Sequence, residues 1–140
     1  MISFTNSTNN IMSVVKNKKI LIYPELSYKI SGLLFDLYNE LGYGYQEKYY
    51  QRAFELLLKE KQIKFKREIC VPIKFKERII GRYFIDFVIE EKIAVEFKVS
   101  NEFRNQYMQQ ILSYLKSHSL KLGMVVMFTS KKIDIKRFVN

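Results

Sequence analysis

Cysteine and histidine occur once each in this 140-residue chain, as Cys70 and His118. One cysteine excludes an internal disulfide framework and a multi-cysteine zinc site. One histidine excludes a His-rich metal site and leaves a Ser-His-Asp triad without support. No apolar run approaches the ~18 residues needed to span a membrane. Residues 1–12 are polar and lack an apolar signal core, so no secretory signal is expected. Residues 1–22 are expected to be a flexible N-terminal segment, and a reduced, cytoplasmic setting fits the single cysteine. Acidic residues are also scarce: 14 Asp and Glu stand against 24 Lys and Arg, a net charge of +10.

What remains is a composition that folds. Apolar residues make up 48% and charged residues 27%, which argues against disorder. The length fits one domain, read as 23–140, able to bury about 68–70% of the surface its unfolded form exposes. The charge is uneven: residues 61–140 hold 17 basic and 8 acidic side chains, so +9 of the excess lies there. Polyanions, nucleic acid first, are the expected partners.

The apolar pattern sets the order of elements. Leu26, Ile30, Leu33, Leu34, Leu37 and Leu41 recur at helical spacing, and Gly42 and Gly44 end that helix. A second helix is expected from about Gln46 to Gln62. The period then drops to two, with Ile63–Lys66 and Ile73–Lys76 read as short strands, Pro72 as a bend or edge between them, and Glu77-Arg78 as a turn. Strands follow at Arg82–Ile89 and Ile93–Val99, joined by Glu90-Glu91-Lys92 into a hairpin. Phe103–Ser117 reads as a helix. Gly123–Phe128 is a continuous apolar run, expected as a buried strand parallel to its predecessor. Ile133–Val139 fits a last strand or a short helix, and Cys70 reads as a small buried hydrophobe. The sum is an α/β domain with a mixed four- to five-stranded sheet flanked by helices.

Two strands carry misplaced charge. In Ile93–Val99 the odd positions are apolar, while Glu96 and Lys98 point the other way. The preceding strand holds one carboxylate, Asp86, among apolar residues. Buried charges are costly unless they are paired, metal-bound or in a cleft. With a three-residue loop, Asp86 lies opposite Glu96 with Cβ atoms ~5 Å apart; a two-residue loop would put them on opposite faces. Two carboxylates that close repel unless a cation lies between them, and such oxygen donors select Mg²⁺ or Mn²⁺. Lys98 shares the face of Glu96 and could orient a water. The competing reading is a buried ion pair that only fixes register.

Asp86…Glu96-Phe97-Lys98, on adjacent strands followed by a helix, resembles the PD-(D/E)XK nuclease superfamily, with its restriction-endonuclease-like core. Gln110 to Tyr114 fits the Q-x-x-x-Y helix motif of the RecB-like branch. Gly44 to Tyr50 reads G-x-x-E-x-x-Y, which is similar to the GxxExxY protein family within that superfamily. The resemblance implies a metal-dependent phosphodiesterase acting on nucleic acid, with DNA favoured over RNA. It implies Glu47, Asp86, Glu96 and the Phe97 carbonyl at the metal, Lys98 at the attacking water, and Gln110 and Tyr114 supporting Lys98 or touching the nucleic acid. Where the family usually has a histidine, three residues before the glutamine, this chain has Tyr107. A homodimer fits relatives that cut two strands. Lys64, Lys66, Lys74, Lys76 and Arg82, with Arg67 and Arg78, are a candidate phosphate-binding stripe; protection of an edge strand is the bland alternative. A non-cleaving module that binds nucleic acid or a partner with the same fold is the rival function.

Overall fold

The structure, a computed structural model, describes residues 21–140. The expected flexible segment therefore lies outside the described residues as far as position 20.

Helix α1 spans Pro24–Leu41 and α2 spans Glu47–Glu60. Proline opens α1 at its first turn, where a missing N–H costs nothing. Gly42 ends it at φ 76°, with its N–H bonded to the Tyr38 carbonyl. Strand β1 covers Phe65–Phe75, β2 Arg78–Ile89 and β3 Ile93–Val99. Helix α3 runs over Asn105–Ser117, followed by β4 at Leu122–Phe128 and β5 at Ile133–Val139. The five strands form one mixed sheet in chain order, antiparallel except for the parallel β3–β4 pair. The parallel pair falls where the continuous apolar run placed it, and α3 makes the crossover. The final segment is a strand, pairing antiparallel with β4.

Both faces of the sheet are covered. Ile30, Leu34, Tyr50, Phe54 and Leu58 of α1 and α2 pack on Phe87, Val95, Phe97 and Phe128. Ile111, Tyr114 and Leu115 of α3 pack on Ala94, Val125 and Met127. The odd and even positions of β3 thus serve different cores, as the alternation predicts.

Three local expectations are corrected. The two short strands around Pro72 are one continuous strand, because β1 lies at the sheet edge and proline's missing donor is not needed there. The turn is Lys76-Glu77, not Glu77-Arg78; both residues have positive φ, 48° and 64°, as a two-residue primed hairpin turn requires. Cys70 is exposed, since its neighbours Ile69 and Val71 take the inward positions on this edge strand.

One irregularity matters for the site. Phe87 belongs to the core under α2 while Ile85, two residues earlier, belongs to the core under α3. Side-chain alternation is therefore broken at Asp86. Across the hairpin, Glu68 takes φ 51° between the register pairs Arg67–Phe87 and Ile69–Ile85. The β1–β2 hairpin turns over at this point, and residues 72–80 at its tip are exposed throughout.

Candidate active site

The β2–β3 ladder consists of three pairs, Phe87–Val95, Val88–Ala94 and Ile89–Ile93. Glu90-Glu91-Lys92 is the three-residue connection, and continuing the register sets Asp86 opposite Glu96. Side chains take over the cross-links there. The Asp86 N–H donates to Glu96 Oε1 at 2.8 Å, and the Phe97 N–H donates to Asp86 Oδ2 at 2.7 Å. Each carboxylate thus binds the backbone of the opposite strand with one oxygen and keeps a second oxygen for other partners. Both are buried, with exposures of 9% for Asp86 and 6% for Glu96.

Burial of this kind disfavours charge. It pushes the Glu96 carboxyl up to about 8, helped by the neighbouring charges of Asp86 and Glu47 and opposed by the Asp86 N–H and Lys98. Asp86 is also raised, first by burial, against the lowering pull of the Phe97 N–H, Lys98 and Arg67. Glu47, in the first turn of α2, is pushed up to about 7 by burial and then by Asp86, with Lys98 pulling it down. Three carboxylates from three elements therefore sense one another's charge. Lys98 Nζ lies 3.8 Å from Glu96 Oε2 and 4.8 Å from the centre of the Tyr107 ring.

The glycine–glutamate–tyrosine spacing has a local mechanical basis. Gly44 adopts φ 119°, a conformation that side chains rarely take. Tyr50 is fully buried against Phe128, and its hydroxyl donates to the Gly42 carbonyl at 2.6 Å. The tyrosine ties down the turn that launches α2, and Glu47 lies one helical turn before it. Packing is what Tyr50 does here.

The other sequence candidates fall in different places. Gln110 is half-buried on α3, and its backbone carbonyl accepts from the Tyr83 hydroxyl at 3.4 Å. Tyr114 is 4% exposed and stacks on His118, with ring centres 4.1 Å apart, so its ring belongs to the core. The Phe97 ring is buried under α2. Lys64, Lys66, Lys74, Lys76 and Arg82 are all exposed. The break in alternation at Glu68 lies between the first two lysines and the rest. Arg67 leaves the stripe: its guanidinium lies over the Phe87 ring at 4.6 Å and bonds Glu55. Arg137 turns inward, donating to the Ser27 hydroxyl and the Ile22 carbonyl. Sequence reasoning also missed Tyr83, whose hydroxyl is raised first by burial and also by the Glu96 charge, and the contact of Tyr107 with Lys98. Neither has a local signal, since each depends on how α3 crosses the sheet.

Among the described residues, no three His, Cys, Asp or Glu side chains are gathered closely enough to form a ready-made metal cage. The donor chemistry nonetheless fits a hard divalent cation. Asp86 and Glu96 offer buried, mutually repelling carboxylates, each with an oxygen free of the backbone bonds.

Carboxylates crossing between two central strands, a lysine two residues on, and helices on both faces of a mixed sheet define a restriction-endonuclease-like fold. Residues 24–138 match the sequence profile of the PD-(D/E)XK nuclease superfamily, and the chain belongs to that superfamily. Its members are typically nucleases and generally use divalent metals. The crystal structure of SSO0001 is similar, with a TM-score of 0.52 and 20% sequence identity over 67% of this chain. That likeness is one of fold, and the match spans half of the SSO0001 chain. No curated protein matches the sequence. No helix among the described residues is long and apolar enough to cross a membrane.

Proposed function

We propose that this chain is a Mg²⁺- or Mn²⁺-dependent nuclease that cleaves phosphodiester bonds, with DNA as the favoured substrate. The supporting observation is the crossed pair of carboxylate–backbone bonds, which buries Asp86 and Glu96 side by side. Two carboxylates that close repel unless a cation lies between them. Asp86 and Glu96 would hold the metal, with Glu47 and the Phe97 carbonyl completing its surroundings. A bound metal would polarise the scissile phosphate and lower the pKa of its water. Lys98 would orient that water and balance charge on the phosphate oxygens. Gln110 would support Lys98 or contact the backbone of the nucleic acid. The exposed Lys64, Lys66, Lys74, Lys76 and Arg82 would supply phosphate contacts.

Within the superfamily, the G-x-x-E-x-x-Y spacing and the Gln110…Tyr114 pair favour the GxxExxY family and the RecB-like branch. A cytoplasmic site of action and a homodimer, which would present two sites to two strands, complete the proposal. The test is cleavage of single- and double-stranded DNA and RNA with Mg²⁺ or Mn²⁺, with Asp86→Asn and Lys98→Ala alongside. Metal-dependent cutting lost at least 100-fold in both variants is expected. A wild type inactive on every form, or variants as active as the wild type, would sink the proposal.

The three carboxylates are not gathered into a ready-made cage among the described residues, which fits one rival, a module that binds nucleic acid without cutting it. That reading requires salt-sensitive binding without turnover, unchanged by Asp86→Asn.

A further inference from the structure

Arg67 was expected among surface phosphate contacts, yet it is tied into a chain of polar contacts leading to Glu47. Its Nη1 donates to Glu55 Oε1 at 2.6 Å, its Nε to the Asp86 carbonyl at 3.3 Å, and its Nη2 to Gln51 Oε1 at 2.9 Å. Gln51 Nε2 donates in turn to Glu47 Oε2 at 3.0 Å. A guanidinium can only donate, so the Gln51 amide oxygen must face Arg67 and its NH₂ must face Glu47. Stacking on the Phe87 ring and the bond to the Asp86 carbonyl fix the guanidinium to β2, the strand that carries Asp86.

We propose that Arg67 and Gln51 are positioning residues that lock the Glu47 carboxylate toward Asp86 and Glu96. This rests on the metal-dependent reading above and adds how the helix-borne carboxylate is held. Glu47 otherwise has a flexible side chain on a separate helix, with several rotamers open to it. The bond to Gln51 occupies one oxygen and leaves the other for the site. Arg67 refers that orientation to β2 rather than to α2 alone. Partners behind a ligand commonly act in this way, and losing one typically weakens metal affinity 10–100-fold.

The experiment uses the full chain without nucleic acid. Mn²⁺ affinity is measured by calorimetry, and the Glu47 side-chain rotamer by NMR coupling constants, in wild type, Gln51→Met, Arg67→Lys and Glu47→Gln. Gln51→Met should weaken Mn²⁺ binding about 10-fold and average the Glu47 rotamers, with the metal-free melting temperature little changed. Arg67→Lys should fall between the two. Gln51→Met should add no further loss in the Glu47→Gln background, a result that a merely structural residue would not give. Wild-type affinity and a single Glu47 rotamer in Gln51→Met would overturn the relay and leave the metal reading intact. If Mn²⁺ binds neither protein, yet Glu47 loses its rotamer only in Gln51→Met, the relay holds and the metal reading falls.

Discussion

Replacing Glu96 with glutamine should make the metal-free protein more stable while disabling it. Glutamine keeps an oxygen able to accept the Asp86 N–H that Glu96 Oε1 now receives. It removes the charge that burial, and then Asp86, make unfavourable. The Glu96 carboxyl is pushed up from 4.5 to about 8 in the fold. A raised carboxyl stabilises the fold fully below its unfolded value, and that contribution drains away as pH rises through the folded value. At ~1.4 kcal/mol per unit, wild-type stability should fall by on the order of 3 kcal/mol between pH 5 and pH 8 on account of this one group. The advantage of Glu96→Gln over wild type should grow by the same amount across that interval. Urea unfolding at pH 5 and pH 8, with chelator present, measures it. Adding Mn²⁺ at pH 8 should stabilise the wild type and leave the variant unmoved. A variant less stable than wild type at pH 8, or a difference that does not change with pH, would refute the claim that Glu96 is held against its charge.

Four smaller predictions follow from the packing and the charges. A Cβ at Gly123 would lie 2.7 Å from Ile111 Cγ1 and 3.2 Å from Leu115 Cδ1, so Gly123→Ala should push α3 off the sheet and cost about 2 kcal/mol in urea unfolding. Tyr50→Phe deletes the hydroxyl bonded to the Gly42 carbonyl and keeps the stack on Phe128; it should cost about 1 kcal/mol. Lys76 and Glu77 both occupy the left-handed region, so Lys76→Asn with Glu77→Gly should raise stability by about 1 kcal/mol. Lys64→Ala with Lys66→Ala should lower the slope of log affinity for DNA against log salt by about 2, measured by fluorescence anisotropy, if both touch phosphates.

The parts of the fold written in short-range pattern were legible. Three polar residues between two apolar runs put Asp86 across from Glu96 only if all three form the loop; the Ile89–Ile93 pair supplies that condition, because register follows loop length. The parallel β4 could be read from an apolar run uninterrupted by polar positions. The edge hairpin is legible only in part: a proline after an apolar strand pattern fits a bend or an edge equally well, and only the position of β1 at the sheet margin selects the edge and one continuous strand. Cys70 reads as buried from its residue type, but alternation turns it outward opposite the exposed Phe84, while Ile69 and Val71 face the core. Arg67 was grouped with the surface lysines because its partners Gln51 and Glu55 lie 16 and 12 residues away on a helix. No periodicity encodes such a contact. The carboxylates were visible because they violate the pattern, and Arg67 was hidden because it does not.

The overturned hairpin divides the labour of the chain. Beyond Val71 and Tyr83, none of the residues at the tip joins either core cluster. The tip can therefore be lengthened, trimmed or recoloured with other side chains while Asp86 and Glu96 stay where the central strands put them. Mutational tolerance should be high from 72 to 80 and should drop sharply at Asp86. Graded screening of tip libraries would read this directly, as changes at the tip that leave the Asp86–Glu96 crossing and the fold's stability intact.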